Sequence, residues 1–151
     1  MPYRANYLAS VAEVIDLAMT FKPAALRAVR RFARSKPWRG TLEERSRKFH
    51  RLNRDLARAY GIERPVLVIA VDRERATGNG CYCPATHLIR LVAKLSVVTY
   101  LHEFGHARGY DERRACRFSI NLFRRTFPRS FARCIHVGHT MRSPRTAQER
   151  R

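Results

Sequence analysis

The chain has 151 residues, 45% of them apolar, which is enough for one domain with a real core and too few for two comfortable ones. That composition excludes a disordered protein, and no uncharged apolar run is long enough to span a bilayer. The formal charge is +19, from 31 Lys and Arg against 12 Asp and Glu, so an acidic partner is expected.

Residues 7–19 are predicted to form an amphipathic helix, with Leu8, Val11, Ile15, Ala18 and Met19 on one face. Glu13 and Asp16 interrupt the apolar run, which argues against both a membrane span and a signal peptide there. No membrane association is expected, and a cytoplasmic location follows, where the four cysteines would stay reduced. Pro23 can start a second helix with Leu26, Val29 and Ala33 inward and Arg27, Arg30, Arg31 and Arg34 outward. Lys36-Pro37-Trp38-Arg39-Gly40 is a break that carries the single tryptophan.

Thr41-Leu42-Glu43-Glu44 is a capping box, so a long helix starts there. Phe49, Leu52, Leu56 and Tyr60 form its buried stripe, and Gly61 ends it. Its other side carries Arg47, Arg51, Arg54 and Arg58. Like charges at this spacing repel, so the two arginine stripes cost stability unless an anion meets them; the alternatives are a solvated face or an acidic protein partner. Only four of the 31 basic residues are Lys, and an arginine excess suits phosphate, which the guanidinium fork bonds bidentately. Residues 65–71 read as a buried strand, residues 72–79 as a polar turn containing Gly78, and residues 86–92 as a second strand.

The chemistry concentrates in Thr99-Tyr100-Leu101-His102-Glu103-Phe104-Gly105-His106-Ala107-Arg108-Gly109-Tyr110-Asp111-Glu112. His-Glu-x-x-His on a helix puts His102 and His106 one turn apart on one face, where both imidazoles can bind one zinc ion. Glu103 then sits beside the metal as a general base. Positions 95–107 carry no charge except Glu103, so the helix reads as buried, and a buried Glu among two His needs partners. Gly105 within it costs about 1 kcal/mol relative to Ala unless close packing or a ligand wants it. A catalytic zinc needs a third protein ligand and one open position. Glu112 is the candidate, because Gly109 can take the positive φ that ends the helix and turn the chain back. One of His136 and His139 is the alternative ligand. Tyr110, His136 and His139 are also candidates for the donor that stabilises an oxyanion, unless the two histidines simply lie on a surface loop.

The helix that follows is predicted over residues 111–127, burying Ala115, Phe118 and Leu122 and showing Arg113, Arg114, Arg117, Arg124 and Arg125, with Pro128 after it. Residues from about Arg142 onward read as a frayed basic tail. Cys81, Cys83, Cys116 and Cys134 lack the spacing of a second zinc site and read as small buried residues, and His50 and His87 as structural or surface residues.

The stretch Thr99–Ala107 resembles the extended signature of zincin metallopeptidases, with Arg108 standing where an apolar residue is usual. Gly80-Cys81-Tyr82 followed by Ile89 resembles the edge strand that precedes this helix in SprT-like and ImmA/IrrE-type proteins. Glu112-Arg113-Arg114-Ala115-Cys116 is similar to the E-x-x-A-[D/N] helix that supplies the glutamate ligand in gluzincins, with Cys116 departing from the last position. The short distance from His106 to Glu112 instead matches the metzincin spacing, with Glu112 in place of a third His. The resemblance covers roughly residues 41–127. It implies an α+β fold: a small zincin-like domain with N-terminal helices, a short mixed β-sheet, and the HExxH helix followed by a second helix. The expected organisation is a helical extension over 1–40, the metallopeptidase domain over 41–141 and a tail over 142–151. The expected activity is peptide-bond hydrolysis with one Zn2+ per chain, on protein or peptide substrates near nucleic acid. The rival is a nucleic-acid-binding protein whose zinc is structural.

Overall fold

A computed structural model describes residues 11–71, 80–92, 94–137 and 140–142. The fold is α+β, with helices packed on a small mixed sheet. The helices are α1 (Val11–Val14), α2 (Pro23–Arg34), α3 (Leu42–Tyr60), α4 (Val97–Ala107), α5 (Glu112–Thr126) and α6 (Pro128–Arg133). Strands β1 (Val66–Ala70), β2 (Gly80–Cys83) and β3 (Leu88–Val92) make the main sheet, and β4 (Ile135–Val137) and β5 (Thr140–Arg142) form a separate antiparallel pair.

Local signals explain most of the boundaries. Pro23 opens α2 at its first turn, where its missing N–H costs nothing. Thr41 and Glu44 form the reciprocal capping box on α3, and Gly61 closes that helix at φ 62°. Ser96 caps α4 by accepting from the Thr99 N–H, and Asp111 caps α5 by accepting from the Arg114 N–H. In the main sheet β3 is central, parallel to β1 and antiparallel to β2. Helix α4 lies across β2 and β3, where Gly80 makes room for it: a Cβ there would sit 2.8 Å from Thr99 Cγ2.

One core serves all of the long helices. Phe32 of α2 meets Phe49 of α3 edge-on at 4.9 Å, Phe49 meets Tyr100 of α4 at 5.9 Å, and Phe104 stacks on Phe118 of α5 at 6.5 Å. The buried Tyr100 hydroxyl donates to Asn53 Oδ1 at 2.9 Å, and Asn53 Nδ2 donates to the Pro65 carbonyl at 2.8 Å. This chain of bonds ties α4 to α3 and to the start of β1, and it leaves no buried polar group of the three unpaired.

Gly105 has a packing reason. A Cβ on it would lie 3.1 Å from Ala115 Cα and 3.2 Å from Ala115 Cβ, so its absence sets how closely α4 and α5 approach. Ala115 is backbone-anchored and cannot yield as a flexible side chain would. Gly105→Ala is therefore expected to destabilise the fold by about 1–3 kcal/mol, despite the better helix propensity of alanine. A urea denaturation midpoint equal to the wild type would contradict this.

Several expectations need correction. The N-terminal helix is Val11–Val14 rather than 7–19, residues 7–10 lying outside the described residues. It ends because tertiary bonds take the chain: Asn121 Nδ2 donates to the Val14 carbonyl, and Asn121 Oδ1 accepts from the Asp16 N–H. Strand β1 is not buried throughout. Val66 and Val68 are 55% and 40% exposed while Leu67 between them is buried, because β1 is covered on one face only. Strand β3 begins at Leu88 rather than residue 86, since Pro84–His87 form a turn with His87 at φ 47°. Pro128 does not merely follow α5; it opens α6. His136 lies on β4 rather than in a loop, and β5 occupies 140–142. The turn around Gly78, His139 and the tail beyond residue 142 fall outside the described residues.

Candidate metal centre

Helix α4 ends in a turn that decides the geometry of the site. Arg108 keeps helical angles, Gly109 takes φ 90°, and the chain reverses. The Tyr110 N–H donates to the Gly105 carbonyl at 3.0 Å and the Gly109 N–H to the His106 carbonyl at 2.8 Å, the paired closure of a Schellman motif. Helix α5 then starts at once, packed along α4 through Gly105, and Glu112 stands on its first turn. A carboxylate is also favoured there by the helix dipole.

The result brings His102, His106 and Glu112 together. His102 Nε2 lies 2.9 Å from Glu112 Oε1, and His106 Nε2 lies 2.9 Å from Oε2. The two Nε2 atoms are 3.2 Å apart. Candidate ligand atoms from the three residues all fall within 4.8 Å of one another, so the group could hold a metal ion.

The outer contacts fix which nitrogen faces inward. His106 Nδ1 is 2.8 Å from the Tyr110 carbonyl, and a carbonyl can only accept, so Nδ1 carries the hydrogen. In a neutral ring Nε2 is then a bare lone pair pointing at a carboxylate oxygen. Two acceptors at that distance repel unless a proton or a cation joins them, which is the chemistry of a metal-ligand set. A donor set of two imidazoles and one carboxylate suits a divalent transition metal, zinc among others.

Titration follows the same geometry. Burial pushes the Glu112 carboxyl up, but hydrogen bonds and charge from His102 and His106 outweigh it and hold the group at about 2, below its ordinary 4.5. Burial pushes His106 down, while the bonds to Glu112 and to the Tyr110 carbonyl act the other way and leave it raised. For the metal-free protein the sign is clear. A folded-state value below the unfolded one means stability present above about pH 4.5 and lost as pH falls towards 2. Glu112→Gln, measured in chelator, is expected to flatten that acid limb; an unchanged limb would show that the carboxylate is not paired in solution.

Glu103 is only 6% exposed, and its Oε2 has no hydrogen-bond partner among the described residues. Burial raises its carboxyl above the ordinary value, against the lowering from the two histidines. A buried carboxylate oxygen without a partner is costly, and such groups are kept where chemistry needs them.

Two neighbours carry roles that the sequence left unread. Cys116 sits one turn after Glu112, with Sγ 3.6 Å from His102 Nδ1 and 3.8 Å from Glu112 Oε1. Burial, with the Glu112 charge behind it, pushes this thiol up to about 12. The i,i+4 spacing from Glu112 was the available signal. The Arg108 guanidinium lies 3.6 Å from the Tyr60 ring centroid and 4.7 Å from that of Tyr110, so its flat face occupies an aromatic niche where an apolar residue would otherwise sit. The four cysteines are free thiols, and, contrary to expectation, none is fully buried: Cys81 and Cys83 are exposed on β2, and Cys116 and Cys134 are half-buried.

Tyr110 contributes its carbonyl to His106, while its ring packs on Phe118 between the guanidiniums of Arg108 and Arg114. His87 is structural: its Nε2 donates to the Glu63 carbonyl at 2.8 Å and its Nδ1 accepts from the Tyr82 hydroxyl at 2.7 Å. His50 is exposed.

No known protein family, curated protein or solved structure matches the chain.

The arginine stripes divide. Arg27, Arg31 and Arg58 line one groove between α2 and α3, which continues into a second lined by Arg31 and Arg51. Arg30 and Arg34 are exposed on α2 outside this groove. Arg47 pairs with Glu43, and Arg54 pairs with Asp55. No described helix is long and apolar enough to cross a membrane.

Proposed function

We propose that this chain is a zincin-like, zinc-dependent peptidase that hydrolyses peptide bonds in protein or peptide substrates near nucleic acid. The observation that carries the reading is the inward convergence of His102 Nε2, His106 Nε2 and the Glu112 carboxylate beside the buried, unpartnered Oε2 of Glu103. His102, His106 and Glu112 would hold one zinc ion. Zinc in such a site supplies Lewis acidity, which polarises a carbonyl and acidifies water.

The chain's own groups supply the rest. The Tyr110 carbonyl and the Cys116 thiol orient the two imidazole rings from their Nδ1 sides. Glu103 takes a proton from the attacking water and returns it to the leaving amine, and its burial moves it towards the pH range where such exchange is efficient. Strand β2 ends the described sheet beside α4, so an extended peptide can add to its edge and present a carbonyl to the site. Tyr110 or the 136–139 segment would steady the oxyanion.

The competing reading, a nucleic-acid-binding protein with structural zinc, draws on Cys116 as a fourth ligand. Its sulfur lies 3.6 Å from His102 Nδ1 and 3.8 Å from Glu112 Oε1 but does not join the converging ligand atoms of His102, His106 and Glu112, and that favours the open site. The test is incubation of zinc-loaded protein with unfolded protein substrates and analysis of products by mass spectrometry. Cleavage that chelator abolishes and zinc restores is the expected result. Zinc bound at full stoichiometry through Cys116, with no cleavage of any substrate, supports the structural reading instead.

A further inference from the structure

The charge of this protein has a specific shape on α2 and α3. Arg27 and Arg31 stand one turn apart on α2, and Arg51 and Arg58 stand two turns apart on α3, all four exposed. They line one continuous groove between the helices, its two halves sharing Ala28, Arg31 and Asp55. Asp55 is the sole acid among the described residues of that lining, and Arg31 and Arg54 already hold one of its oxygens each, at 3.2 Å. The net positive groove is a cost that an anion would remove.

The loop that carries Trp38 adjoins one end of the groove through Lys48. That loop is pinned from below: Lys48, which lines that end, donates from Nζ to the carbonyls of Lys36 and Arg39, and Arg45 Nε donates to the Pro37 carbonyl at 2.9 Å. Pro37 is buried while Trp38 is 56% exposed, so the loop presents the indole to solvent from a braced backbone. An exposed tryptophan on a fixed loop next to an arginine groove is the combination that binds a single-stranded nucleic acid, with guanidiniums on phosphates and a base stacked on the ring. A duplex hides its base faces and cannot use the indole in this way.

We infer that the α2–α3 groove and Trp38 form a binding site for single-stranded nucleic acid, with Arg27, Arg31, Arg51 and Arg58 on the backbone and Trp38 stacking a base. Phe49 and Asn53 of α3 face α4, whereas Arg51, Asp55 and Arg58 are on its opposite side, so this surface is separate from the metal centre. The inference deepens the nucleic-acid side of the proposed function and does not depend on the peptidase chemistry.

Trp38 is the only tryptophan, so its fluorescence reports on this surface alone. Titration with a 12-nucleotide oligo(dT) is expected to quench it saturably. With four phosphate contacts, log K should fall with log salt at a slope of about −3. Changing Arg27, Arg31 and Arg58 together to Ser should bring the slope to about −1, measured by anisotropy of the labelled oligonucleotide. Trp38→Ala should weaken binding about tenfold and Trp38→Phe much less, because phenylalanine still stacks. Circular dichroism checks that each variant is folded, and a folded triple-Ser variant with the wild-type slope overturns the inference. So does absence of quenching, or equal binding by wild type and Trp38→Ala. Equal quenching by poly-glutamate at matched charge also overturns it and points to an acidic protein partner. Repeating the titration with His102→Ala separates the two ideas: binding should persist there, whereas zinc content and cleavage report on the metal centre.

Discussion

Wild-type protein is expected to carry about one zinc ion per chain, and His102→Ala or His106→Ala to lose it. The expectation rests on the two Nε2 atoms, 3.2 Å apart and each 2.9 Å from one oxygen of the same carboxylate. Removing either imidazole leaves one nitrogen and one carboxylate, too few for a zinc ion to be held against water. Glu112→Ala should lower zinc affinity far more than His136→Ala or His139→Ala, because its carboxylate already bridges both imidazoles. Metal content by mass spectrometry after dialysis decides the matter. Full zinc in both histidine variants would remove the site assignment, and a larger loss in His136→Ala or His139→Ala than in Glu112→Ala would make the centre a three-histidine one.

Glu103→Gln should keep zinc and the fold yet lose peptide hydrolysis by roughly a hundredfold to ten-thousandfold. The amide has the same shape but cannot take the proton. In chelator, without the metal, it should also fold at least as well as the wild type near neutral pH. A carboxyl raised by burial loses stability as pH climbs from its unfolded value through its folded one, and the glutamine variant escapes that loss. The pair of readouts matters. A structural carboxylate would show lower stability on substitution, and a variant that cleaves at the wild-type rate would end the role assigned to Glu103.

The path from sequence to site was short wherever the governing interaction was local. The α+β composition, the capping box of Thr41 and Glu44, the stop at Gly61 and the turn at Gly109 depend on neighbours within a few residues, and the structure has each. His102 and His106 share a face because helix geometry demands it, and Glu112 comes back to them because Gly109 reverses the chain and α5 starts at once. The need for Gly105 was legible as a cost, although its cause, Ala115 of the next helix, was not.

What only the tertiary structure decided depends on residues far apart in the chain. Asn121 ends α1 by binding Val14 and Asp16 more than a hundred positions away, so helical periodicity over 7–19 was no guide to where it stops. The exposed face of β1 reflects packing on its other face alone, which a run of apolar residues cannot report. Arg108, an oddity as a charge in an apolar context, became intelligible once Tyr60 and Tyr110 lay under its guanidinium. The eight arginines chosen by helical phase looked equivalent, yet pairing with Glu43 and Asp55 and the groove between α2 and α3 gave them different surroundings. Periodicity fixes the side of a helix on which a residue stands, and only packing settles what stands opposite.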